Sequence, residues 1–149
     1  MEEKIGIITL FSQPYNKIAS ASCYNFRRYS KKYNYDFIYY DHFIDESLSF
    51  EQNKMLVIQK EIDKYDWLFW VNCDSLIMNI NQRLEYFVNN KFDFIIQGEK
   101  KSINNSCFLH RCHNINNLCF FIRNTPLMKT FIEDILKCEN ILKNSQEEQ

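Results

Sequence analysis

Five consecutive apolar residues, Trp67-Leu68-Phe69-Trp70-Val71, set the terms on which this chain can fold. So short a bulky run reads as a strand, and a strand without polar alternation suits a parallel sheet covered on both faces. The neighbouring segments fit that demand. Ile5-Gly6-Ile7-Ile8-Thr9-Leu10 and Tyr35-Asp36-Phe37-Ile38-Tyr39-Tyr40 are β-branched and aromatic and predict two more strands. Between them, residues 17–33 lack glycine and proline. There Ile18, Ala21, Cys23, Phe26 and Tyr29 recur partly at three- and four-residue spacings, which predicts a helix.

A second helix is predicted from Ser49 to about Lys64. Ser49 and Gln52 form a capping box, and Met55, Ile58 and Ile62 share a face. After the apolar strand, residues 76–78 read as a short strand and residues 82–88 as a brief helix. Residues 92–96 and 118–122 read as strands separated by a polar stretch. Thr125-Pro126 then opens a helix as N-cap and first helical residue, ending near Leu142. Strands alternate with helices throughout, so the expected class is α/β with a mostly parallel sheet flanked by helices. The 149 residues fit one domain, residues 1–142, with residues 143–149 as a polar tail.

Glycine is nearly absent. Gly6 and Gly98 are the two in the chain, against a usual share of about 7%. A dinucleotide fingerprint needs three closely spaced glycines, and a P-loop needs two beside a Lys-Ser/Thr pair. A G-x-S-x-G nucleophile elbow is equally impossible. Any phosphate must therefore be held by a metal, by side-chain charge or by helix N-termini. A formal net charge of -1 gives no nucleic-acid footprint. No apolar run approaches the roughly 18 residues that cross a bilayer, and Met1-Glu2-Glu3-Lys4 does not open a secretory signal. The expectation is a soluble intracellular, cytoplasmic protein. Its cysteines, Cys23, Cys73, Cys107, Cys112, Cys119 and Cys138, are then reduced thiols.

The apolar strand ends in Asn72-Cys73-Asp74-Ser75. Ligands of open α/β sheets bind beyond the carboxyl ends of the strands. Extended alternation would aim Asn72 and Asp74 the same way. An acid there can hold Mg²⁺ or Mn²⁺ against substrate phosphates. The plainer alternative is a turn, since Asx residues commonly form one after a strand.

The segment Tyr65-Asp66-Trp67-Leu68-Phe69-Trp70-Val71-Asn72-Cys73-Asp74-Ser75-Leu76-Ile77-Met78-Asn79 resembles the D-x-D segment of the galactosyl/mannosyl/xylosyl transferase family GMA12/MNN10, approximately W-x-D-x-D-A-L-I-M-N. Three more stretches follow the family's order. Asn25 to Tyr35 is similar to N-x-x-x-Y-[AC]-x-x-H-G-Y, Lys54 matches a lysine on the helix before the D-x-D, and Phe120-Phe121-Ile122-Arg123-Asn124 is similar to F-L-I-R-N. The chain departs from the pattern at Asn72, which stands for the first Asp. It also departs at Tyr33-Asn34, which stand for His-Gly, and at Leu118, which stands for a glycine.

The resemblance implies a GT-A-like, Rossmann-like fold covering the first part of a family catalytic domain. A domain truncated at its C-terminus, without the family's late metal-binding histidine, is therefore expected. The implied activity is transfer of a hexose or pentose, with retention, from a UDP- or GDP-linked sugar to a glycan or other hydroxyl acceptor, using Mn²⁺ or Mg²⁺. Carried over by position, Asp74 holds the metal and Asn72 assists at the metal or lies near the ribose. Thr9 and Leu10 flank the nucleotide, Lys54 balances donor charge or is a solvated helix lysine, and Arg123 contacts substrate or packs at a strand end. Asn25 and Tyr29 match family positions, with packing the expected role of Tyr29. The alternative is a non-catalytic or remnant GT-A domain that serves as a nucleotide-binding or interaction module, favoured by the missing carboxylate at Asn72. Separately, Cys107, His110, Cys112 and His113 form a C-x2-H-x-C-H cluster. Its spacing matches no standard zinc module, and one of its histidines could alternatively stand in for the late one.

Overall fold

The apolar strand lies at the centre of a five-stranded sheet in the computed structural model, which describes residues 3–99 and 114–147. The described elements are β1 (Ile5–Leu10), α1 (Asn16–Tyr33), β2 (Asp36–Tyr40), α2 (Phe50–Glu61), β3 (Trp67–Val71), β4 (Phe94–Glu99), β5 (Asn114–Arg123) and α3 (Pro126–Glu147). Single 3-10 turns at Ile62–Lys64 and Leu84–Tyr86 complete them. The strand order is β2-β1-β3-β5-β4. β1 pairs parallel with β2 and β3, while β5 is antiparallel to both β3 and β4. Four of the five described strands thus point the same way, and the class is the expected α/β.

Both faces are covered, as the apolar run demanded. Leu68 and Trp70 of β3 pack with Ile8, Leu10, Phe120 and Ile122 against Val57 and Ile58 of α2 and Met128 and Ile132 of α3. Trp67 and Val71 face the other way with Ile5, Ile7 and Phe121, against Phe26 and Tyr29 of α1 and Leu84. Burying each such side chain stabilises by roughly 1.5–3 kcal/mol. Gly6 has a packing reason: a Cβ there would meet Leu68 Cδ2 and the Tyr65 ring at 3.0 Å.

The capping box forms, with Ser49 Oγ accepting from Gln52 N at 3.1 Å and Gln52 Oε1 accepting from Ser49 N at 3.0 Å. Thr125 Oγ1 likewise accepts from Met128 N at the start of α3. The buried face of α2 differs from the expected one, since it includes Asn53, Lys54 and Glu61 beside Val57 and Ile58. Polar residues are tolerated there because they are paired. Asn53 Nδ2 donates to the carbonyls of Asp45, Leu48 and Ser49, and Tyr40 donates to Glu61.

Other boundaries shift for backbone reasons. β4 and β5 extend into polar sequence because their ladder continues past a bulge at Ile96/Gln97, pairing Gln97 with Asn116 and Glu99 with Asn114. α3 runs to Glu147, through most of the segment read as a tail. Within residues 82–88, only Leu84–Tyr86 form a 3-10 turn, in place of a short α-helix.

Residues 76–78 are not a strand. Their backbone is satisfied by α1: Ile77 N donates to Asn25 Oδ1 at 2.8 Å, and Asn25 Nδ2 donates to Ile77 O at 3.2 Å. The side-chain amide replaces a neighbouring strand. The next turns are tied down similarly, by Tyr29 to the Gln82 carbonyl, Lys32 and Tyr33 to the Ile80 carbonyl, and Tyr35 to Glu85. Asn25→Ala strands two backbone groups at once and should cost about 1–3 kcal/mol, read as a lower urea midpoint with an unchanged slope. Asn25→Asp keeps the acceptor and loses the donor, so it should also destabilise.

Candidate functional site

The carboxyl ends of β1, β2 and β3 share one edge of the sheet, where Phe11 N donates to Tyr40 O. β3 leaves the sheet there through a turn in which Ser75 N donates to Asn72 O at 3.1 Å, and Asn72 N donates to Leu118 O at 2.9 Å. The turn overrides the extended alternation expected of Asn72 and Asp74. Cys73 is buried between them, Asn72 is half-buried and Asp74 is exposed. Burial and the neighbouring Asp74 charge push the Cys73 thiol up, so it serves as an apolar anchor for the turn.

The Asp74 carboxylate has no hydrogen bond or ion pair among the described residues. No group of three or more His, Cys, Asp or Glu side chains among those residues could hold a metal ion. With the described residues alone, a cation at Asp74 would take most of its shell from ligand oxygens, a regime that suits Mg²⁺ with substrate phosphates. Asn72 fits that role less well, because its Oδ1 already accepts from the Trp70 indole at 2.8 Å.

Lys54 is 1% exposed and is not a solvated helix lysine. Its Nζ pairs with Glu51 Oε2 at 2.6 Å and lies 5.4 Å from the Trp70 ring centroid and 5.6 Å from that of Phe50. It connects to the turn through Trp70. Leu10 is fully buried against the α2 side of the sheet, so it brings backbone and not side chain to the edge. Thr9 is also fully buried, and its hydroxyl has no partner among the described residues.

The structure places Arg123 elsewhere. The antiparallel register pairs it with Trp67, at the far end of β3, roughly 16 Å from Asn72 at about 3.3 Å per residue. It donates to the Asn90 carbonyl at 3.0 Å, lies near Asp93 and sits over the Trp67 ring, so packing at a strand end is the role its surroundings show. Cys107, His110, Cys112 and His113 lie outside the described residues. Cys23, Cys73, Cys119 and Cys138 are free thiols.

A cavity of about 460 Å³ opens beside the turn, on the α1 face. Phe69, Ile77, Phe87, Ile95 and Phe121 form its apolar walls, with Gln82 and Gln97 among its polar groups. Neither Asn72 nor Asp74 lines it. Sequence reasoning missed this space because it depends on the 76–87 segment being held off the sheet.

No family model matches the chain, and no curated protein matches it. Among solved structures, the chain is similar to the crystal structure of a glycosyltransferase involved in the glycosylation of the major capsid of PBCV-1. The likeness covers 91% of this chain and 67% of that chain, with a TM-score of 0.63 and 15% sequence identity. At that identity it is a likeness of fold. Among the described residues, no helix is long and apolar enough to cross a membrane.

The tyrosines behind the turn supply a pH test. Burial, reinforced by Glu85, raises Tyr35 to about 12. Tyr40 is raised to about 12 by burial and Glu61, and burial pushes Tyr29 up as well. A phenol raised on folding contributes stability that is complete below its unfolded pKa, near 10, and is lost as pH climbs through the folded value. Stability should therefore fall between about pH 10 and 12. Absorbance at 295 nm should show these phenols ionising together with unfolding rather than before it.

Proposed function

We propose that this chain is the donor-binding domain of a glycosyltransferase that moves a hexose or pentose from a UDP- or GDP-linked sugar to a hydroxyl acceptor, glycan or otherwise. The observation that carries this reading is the position of Asp74. In a fold shared with a glycosyltransferase, it is an exposed carboxylate without a partner among the described residues, just past the carboxyl end of the central strand. That edge is where open α/β sheets bind ligands. The resemblance of residues 65–79 to a D-x-D segment supports the same assignment.

In this reading Asp74 would hold Mn²⁺ or Mg²⁺, and a bound cation offsets the charge of the diphosphate and leaving group. The chain's own part is to keep Asp74 in place. Cys73 is buried beneath the turn, Asn72 is bonded to β5, and Asn25 holds the strand-like continuation at Ile77. The membership in the GMA12/MNN10 family and the retaining outcome belong to the proposal too.

A second reading, a nucleotide-binding domain without turnover, is favoured by one observation: a neutral amide, already bonded to an indole, stands where a second carboxylate would bind the metal. Calorimetry separates the possibilities. Mn²⁺ should tighten binding of a UDP- or GDP-sugar, and Asp74→Ala should abolish that gain while leaving the melting temperature within a few degrees. No binding of either nucleotide sugar, with or without metal, would sink both readings. Binding without release of sugar to water or acceptor would favour the second, and released sugar, with its anomeric configuration read by NMR, would favour the first.

A further inference from the structure

Trp70 Nε1 lies 2.8 Å from Asn72 Oδ1. An indole nitrogen can only donate, so the amide oxygen must face it and the NH2 group must face away. The backbone of Asn72 is engaged as well, through Leu118 O and Ser75 N. What remains is the pair of Nδ2 protons on a half-buried side chain, with no protein partner among the described residues.

The indole that fixes this orientation is itself immobilised. Trp70 is 0% exposed and stacks on Phe120 with centroids 6.2 Å apart. On its other contacts lies the buried Lys54 ammonium, 5.4 Å from its ring and anchored by Glu51. Turning the amide over would aim its NH2 at the indole N–H and leave a buried donor unpaired, which costs more than an ordinary hydrogen bond returns.

We infer that Asn72 is a hydrogen-bond donor to a phosphate oxygen of the bound nucleotide and not a metal ligand, so that this chain grips a diphosphate in part without metal. The inference rests on the donor-binding reading of this edge. Its charge logic is local. Two carboxylates at the turn would repel a diphosphate twice over and make a bridging cation obligatory. Here Asp74 brings one negative charge and Asn72 brings two N–H groups that suit an anionic oxygen. The dependence on divalent cation is correspondingly partial, carried by Asp74 alone.

The test measures UDP and inorganic pyrophosphate binding to the full chain by calorimetry, in EDTA and in Mn²⁺. In EDTA the unmodified chain should bind both. Asn72→Asp should weaken both by about tenfold, the scale of one lost hydrogen bond to a charged group, and should make binding strongly Mn²⁺-dependent. Trp70→Phe frees the amide to rotate and should weaken metal-free binding by about threefold, with no further loss when combined with Asn72→Asp. Melting temperatures of each variant separate misfolding from lost contact, and Asn72→Ser, which keeps a small donor, should recover part of the affinity. Equal metal-free binding by the unmodified chain and Asn72→Asp would overturn the inference. So would a loss confined to UDP with pyrophosphate unaffected, which would put the contact on the nucleoside. So would loss of the Mn²⁺ gain in Asn72→Ala to the extent seen in Asp74→Ala, which would make Asn72 a metal ligand. Failure of the unmodified chain to bind either probe in either condition is a different result, and it overturns the donor-binding reading together with this one.

Discussion

Everything presented at the edge of the sheet depends on how the backbone beyond β3 is satisfied. A chain leaving a buried strand must find partners for its amides or face water. Beyond the turn at Asn72 the sheet offers none at Ile77, and one side-chain amide takes both polar groups of that residue. Tyr29, Lys32 and Tyr33 of α1, and Tyr35 just before β2, then hold the following turns. The Asn25–Tyr29 stretch and the stretch after Asp74 are distant in sequence and form one assembly in space. Their joint presence in the resembled pattern has a physical reason: the first holds the second.

The two faces of the sheet are organised differently around that edge. On the α1 face, hydrogen bonds hold a loop away from the strands and leave the cavity lined by Phe69, Ile77 and Phe121. On the α2 face, packing is closed, yet it contains Lys54 and Glu61, each with an ion-pair partner. A buried ammonium without a partner would be far more costly than a lysine in water. The salt bridge to Glu51 and the two aromatic rings account for its tolerance, and they place a positive charge behind Trp70 without exposing it to the edge.

Much of this was legible in the sequence, and the remainder fails for identifiable reasons. Strands β1 and β3 announce themselves because burial on both faces leaves almost no room for polar residues, and the edge strand β2 because its residues are aromatic and β-branched. The capping box at Ser49 and Gln52 is a local event that needs no tertiary knowledge. Residues 76–78 look like a strand because their apolar, β-branched character is real, but no neighbouring strand is available. Arg123 looks like a site residue until the antiparallel register of β5 carries it to the far end of the sheet. Lys54 could be read as a solvated helix lysine because periodicity cannot register a buried polar group that brings its own partners.

Asn34 ends α1 with φ 60° and ψ 37°, the left-handed conformation, and its N–H returns to the Ser30 carbonyl. That geometry belongs first to glycine and next to asparagine, whose short polar side chain tolerates it. The resembled family has glycine here, so the departure is a substitution within one conformational class rather than a loss. A chain so poor in glycine has met a backbone requirement with its second-best residue, at a position where failure would misdirect β2 and everything paired to it. At Asn34, then, a residue other than glycine holds the left-handed turn that lets β2 start where it must.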